Sequence, residues 1–400
     1  MKRIRRRTYN TMKKSIKNRI KQFFWKQFHK NKPMIPEGLV DTSTLNEQIT
    51  AAMEKLKTML AHDPHVFRQM QIGIRYRSTF SPDFTETMNA CLYECRLCNI
   101  YGLEYYLMYS LLLSCLEKEK IHDLRILSMG CGSMIDGLSL SLALQNAGEG
   151  YNVQYTGIDI SEWPMSYQLP FENRLIIKPM QEYFGEYRTS DANVIVFPTV
   201  LSGLREYPDD TEALCRSMEN AQLLSDTIFV MAAYRSTMSF NRDWQVTDWQ
   251  KMQKILSAME KKGYAVEELP AAIPDAWKPY LQSKTTESED GKKYVVRYIS
   301  AQYGSVQLKE IAPDFAPPDC VEEFLKTPGN IRKYCPYYVM RRDQYLSRNP
   351  GIKPGEEIPE TVCNQQCPIM CKPFPRINFT QASSPCFQIF MLRRQATGNP

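Results

Sequence analysis

The chain has 400 residues, 43% of them hydrophobic and 24% charged, which excludes a disordered, collagen-like or wholly coiled-coil protein and allows a sizeable core. Its net charge of +6 is uneven: residues 1–36 hold 13 Lys and Arg and no acid, leaving 37 basic against 44 acidic residues in the rest. Twelve cysteines in so long a chain, with no apolar signal-peptide core, read as reduced thiols in the cytoplasm, and no run approaches the roughly 18 apolar residues of a membrane span.

Four segments follow from the changes in pattern. Residues 1–36 form a basic arm in which Ile16, Ile20, Phe23, Phe24 and Phe28 fall at helical spacing among Lys and Arg. This reads as an amphipathic helix suited to nucleic acid phosphates or another anionic surface, or as a helix docked on the body of the protein. Residues 37–122 read as a helical cap: Leu45, Ile49, Met53, Leu56 and Leu60 share one side of a helix over 44–62, and 84–116 is apolar with one glycine. From 123 to 303, β-branched runs alternate with helical stretches, the pattern of a parallel sheet with crossover helices. Residues 304–400 are rich in Pro and Cys and close on a strand at 386–392.

The chemistry-bearing motif opens the third segment. A strand over 125–129 runs into Gly130-Cys131-Gly132 and then a helix, and a second strand over 153–158 ends in Asp159. The glycines permit a sharp turn and a close approach of backbone to ligand, and the helix start offers free N–H groups. A carboxylate closing the next strand can accept hydrogen bonds from the two hydroxyls of a ribose. A Gly-x-Gly-x-x-Gly dinucleotide fingerprint would need a glycine at Ile135, where a β-branched residue crowds helix against strand.

These residues, Ile126 to Gly132 and Tyr155 to Asp159, resemble the class I Rossmann-like S-adenosylmethionine-dependent methyltransferases over about residues 123–303. The resemblance implies an α/β Rossmann-like sheet with helices on both faces, and S-adenosyl-L-methionine as cofactor. It puts Gly130, Cys131, Gly132, Asp136, Asp159 and Ile160 at the cofactor, Gln181 at the adenine, and Phe197, at the end of the fourth strand, near the transferable methyl group. Ser128 stands where the family often has an acid, and Asp136, one turn into the helix, replaces part of that polarity. Pro198, Thr199 and, from the cap, Tyr105 are the expected substrate-pocket residues. No catalytic base is expected, since methyl transfer from a sulfonium depends mainly on alignment and desolvation.

The cysteines raise a separate question. Cys91, Cys95 and Cys98 have a spacing seen in radical enzymes but fall on one predicted helix. Cys363, Cys367 and Cys371 lie near prolines, where thiolates can converge on structural zinc or an iron–sulfur cluster. The acceptor is open between a small molecule and RNA, and the loop Phe197-Pro198-Thr199-Val200 lacks the Pro-Pro-aromatic motif of the amino-methylating nucleic acid enzymes. The alternative is a non-catalytic methyltransferase-like scaffold or an RNA- or ribosome-associated binding protein.

Overall fold

The computed structural model describes residues 43–62, 87–148, 150–164, 167–204, 209–234, 248–269, 275–287, 291, 293–299 and 386–395. The basic arm, Cys363, Cys367 and Cys371 lie outside these residues. Two helices come first, α1 (Ser43–His62) and α2 (Thr87–Glu119). The wound part follows as β1 (Asp123–Met129), α3 (Ile135–Ala147), β2 (Asn152–Asp159), β3 (Glu172–Ile177), α4 (Met180–Glu186), β4 (Val194–Phe197), α5 (Asp210–Asn220), β5 (Thr227–Tyr234), α6 (Asp248–Lys261) and β6 (Tyr264–Glu268). Then come β7 (Leu281–Glu287), β8 (Lys293–Ile299) and, after a long span of chain, β9 (Cys386–Arg394).

The sheet order is β3-β2-β1-β4-β5-β9-β8-β7, with β6 also paired to β9. Strands β3, β2, β1, β4 and β5 are parallel. The runs of β1, β4 and β5 are short and mostly buried, as expected for strands covered on both faces, whereas β3 at the sheet edge has no buried residue. A six-strand dinucleotide sheet continues 3-2-1-4-5-6 in parallel; here β9 occupies the sixth place and runs antiparallel to β5 over eight register pairs, Cys386↔Tyr234 to Arg393↔Thr227. The last strand of the Cys/Pro-rich segment is thus an inner strand of the main sheet.

Strand alternation divides the core. Val194 and Val196 of β4 and Phe229 and Met231 of β5 join the cluster under α1, α2 and α3. Ile195 and Phe197, with Ile228 and Val230, join the cluster under α4, α5 and α6. Helix α2 is 33 residues long, about 50 Å at 1.5 Å per residue. It is apolar nearly all round, which suits a helix enclosed by α1, α3, β5 and β9. Among the described residues no helix is long and apolar enough to cross a membrane.

Candidate functional site

The crossovers lead away from β1 in both directions, to β2 and β3 on one side and to β4 and β5 on the other. Crevices above such a switch point are where ligands bind in open α/β sheets. Gly130 and Gly132 both take positive φ, +73° and +56°, which a side chain would strain. The turn is pinned to the neighbouring strand: the amides of Gly130 and Cys131 donate to the Ile158 carbonyl at 2.7 and 3.0 Å. A Cβ on Gly130 would stand 2.2 Å from Val200 Cγ2, so the loop after β4 closes directly against the turn.

Asp159, at the end of β2, folds back over this turn. Its Oδ2 accepts from the Gly132 amide at 2.8 Å. Its Oδ1 accepts from the Ser161 amide at 3.0 Å and from the Trp163 indole N–H at 3.3 Å. Burial raises its pKa above the ordinary carboxylate value, and these donors offset part of the rise. The indole of Trp163 lies over Gly132, with Cζ2 3.2 Å from where a Cβ would be. Next to the carboxylate in the chain, Ile160 is 71% exposed, and Ile177, the register partner of Asp159 on β3, is 47% exposed. Gln181 is half-buried at the start of α4.

Three expected ligand contacts have their side chains elsewhere. Asp136 is buried in the core, where its carboxylate accepts from Ser128 Oγ at 2.7 Å, Tyr155 at 2.9 Å and Tyr109 at 3.5 Å. It does restore the polarity lost at Ser128, but inward. Burial lifts its pKa to about 6, against the pull of those hydroxyls. Cys131 packs its sulfur beneath β2, 2.7 Å from where a Cβ on Gly157 would stand, because the glycines around it turn the backbone outward and the side chain down. Phe197 belongs to the core under α4 to α6, since strand alternation sends it to that face, leaving only its backbone at the strand end.

The methyl-end candidates meet. Thr199 has φ +53°, an outlier for a β-branched residue, and its hydroxyl bonds the Tyr105 phenol at 3.0 Å. Helix α2 therefore reaches the end of β4 directly. Trp163, Tyr93, Glu94 and Glu104 were not singled out by the sequence motifs, though two acids inside an apolar helix are a legible oddity. Among the described residues no group of three or more His, Cys, Asp or Glu is placed to hold a metal. Cys91, Cys95 and Cys98 are buried and in no disulfide, and desolvation pushes each of their pKa values up, the opposite of a metal-binding thiolate.

No protein-family model matches the chain, and no curated protein does. Solved structures do. The plantazolicin methyltransferase BpumL in complex with SAH is 11% identical, with a TM-score of 0.33, over 86% of this chain and 100% of that one. A TehB-like SAM-dependent methyltransferase from Corynebacterium glutamicum is 17% identical at 0.26, over 42% and 76%. A SAM-dependent methyltransferase from Archaeoglobus fulgidus is 15% identical at 0.27, over 43% and 78%. From its own strand order, parallel centre and helices on both faces, the chain has a Rossmann-like methyltransferase fold.

Proposed function

We propose that this chain is an S-adenosylmethionine-dependent methyltransferase, with its cofactor lying across the Gly130–Gly132 turn at the edge of β1. The observation that carries the reading is Asp159: a carboxylate at the end of β2, 2.8 Å from the Gly132 amide and followed by the exposed Ile160. That set fits a nucleoside, with Asp159 for the ribose hydroxyls, the exposed Ile160 for the flat face of adenine and Gln181 for its polar edge. S-adenosylmethionine, when bound, supplies an electrophilic methyl group. The chain's part is to hold it, orient the acceptor and exclude water. Tyr105 and Thr199 hold the α2 and β4 sides of the pocket together. The acceptor is a small molecule or RNA, and an RNA acceptor would draw on the basic arm.

One observation favours a non-catalytic scaffold as the second reading. The oxygens of Asp159 already accept three N–H groups, so ribose must displace the longest of them, from Trp163. Calorimetric titration with S-adenosylmethionine, S-adenosylhomocysteine and NAD separates the two readings. Micromolar binding of the first two and none of NAD supports the methyltransferase. No binding to a folded sample leaves the scaffold. If Trp163 yields to ribose, the same titration quenches or shifts tryptophan fluorescence, and Trp163→Phe removes that signal.

A further inference from the structure

The loop after β4 is held from three sides. Two belong to the site already described: Val200 closes on the Gly130 turn, and Thr199 bonds Tyr105 of α2. The third is Lys251, a buried lysine on α6. Its ammonium donates to the Leu201 carbonyl at 2.9 Å and to the Leu204 carbonyl at 2.7 Å. These two residues bound a single turn of 3-10 helix, Leu201–Gly203 and its cap Leu204. So short a turn ends in carbonyls that its own amides serve poorly; the Leu204 amide reaches the Leu201 carbonyl only at 3.3 Å. A cation at the end of a helical turn is the group that such carbonyls accept best.

Packing alone does not call for a lysine here. A buried ammonium is costly to desolvate, and an aliphatic side chain of similar length would fill the same place on α6 without that cost. What the lysine adds is a compact charge with three donors, able to hold two carbonyls at one point. That point is next to the residues that shape the crevice. Thr199 has φ +53°, a conformation that a β-branched residue keeps only where its surroundings impose it. The Ser202 hydroxyl donates to the Thr199 carbonyl at 3.3 Å, and the Gly203 amide to the Val200 carbonyl at 2.7 Å. The turn gripped by Lys251 is therefore bonded to both residues that reach the glycine turn and α2. A continuous run of hydrogen bonds leads from α6 to the end of β4.

We propose that Lys251 is a positioning residue for the cofactor crevice: its ammonium fixes the loop after β4, so that Val200 closes on the Gly130 turn and Thr199 meets Tyr105. The word cofactor rests on the methyltransferase reading; the fixing of the loop does not. The test compares the full chain with Lys251→Met and Lys251→Arg by amide hydrogen exchange and by calorimetric titration with S-adenosylhomocysteine. In Lys251→Met the peptide spanning 198–204 should exchange at least about tenfold faster, with β1 and β5 unchanged, because a charge-assisted pair of hydrogen bonds is lost at one place. S-adenosylhomocysteine should bind about tenfold more weakly. Lys251→Arg, which keeps a charged donor, should bring both readouts back to within about threefold of wild type. If Lys251→Met does not fold, Lys251→Gln, which keeps a neutral donor, is read in the same way. Unchanged exchange over 198–204, a rise spread evenly over α6 and β5, or wild-type S-adenosylhomocysteine affinity despite a loosened loop overturns the proposal. Should the wild-type chain not bind S-adenosylhomocysteine, the methyltransferase reading falls, and the exchange of 198–204 still decides whether Lys251 holds the loop.

Discussion

The acids at the glycine turn and the acids on helix α2 are the same chemical group, Asp136, Glu94 and Glu104 buried and Asp159 half-buried, and the fold treats them differently. Asp136 receives three hydroxyls and Asp159 three N–H groups. Glu94 leaves one oxygen without a partner and Glu104 leaves two. Folded proteins satisfy nearly all their buried polar atoms, so the first pair is what an internal frame looks like, and burial answers the second by pushing both carboxyls toward their neutral forms. The frame holds the turn in position.

Substitution can break this contrast. Asp136→Ala removes the shared acceptor of three buried hydroxyls, and should cost on the order of 3–5 kcal/mol of folding stability in chemical denaturation; a loss below about 1 kcal/mol would show that the hydroxyls re-pair and that the frame is loose. Glu94 tests the other side through pH. Burial lifts it to about 7 in the folded chain, above its unfolded value near 4.3. The native state therefore binds the extra proton between these limits, so the Glu94 contribution to stability is full below about 4.3 and is lost as pH rises to about 7. The melting temperature should fall across that window, and Glu94→Gln should remove a slope worth on the order of 3 kcal/mol. An unchanged slope would assign it to Asp136, whose sign is the same.

Two smaller effects sharpen the comparison. Asp159→Ala should weaken S-adenosylhomocysteine binding by on the order of 2–3 kcal/mol, as for a charge-assisted hydrogen-bonding pair; wild-type affinity by calorimetry would put the nucleoside elsewhere. Glu104→Gln, in contrast to Asp136→Ala, should change stability by less than about 1 kcal/mol, because burial pushes the Glu104 carboxyl toward its neutral form and the amide is a neutral group of similar shape. A large loss would show that Glu104 is part of the frame.

The central fold was legible because it is written locally. The apolar runs of β1, β2, β4 and β5, the glycine turn and Asp159 at a strand end all lie within a few residues of the features that give them meaning. The cap helix was legible in the same way, from the apolar run over 84–116. What the run of residues did not disclose is direction. Cys131, Asp136 and Phe197 belong to the right turn, helix and strand, but pleat and helical rotation send their side chains into the core. Trp163 carries no motif, and its contact with Asp159 arises because the segment after β2 folds back on the turn.

By itself the sequence determined the alternation of strand and helix, the two left-handed glycines and the acid that closes β2, since each depends on backbone conformation and short-range pattern. Only the tertiary structure decided that residues 386–394 insert between β5 and β8, that Thr199 reaches Tyr105 across 94 positions of sequence, and that Glu104 is left without a partner. Those are facts of satisfaction and proximity. Whether a buried charge is paired depends on which distant groups the packing brings within about 3 Å of it.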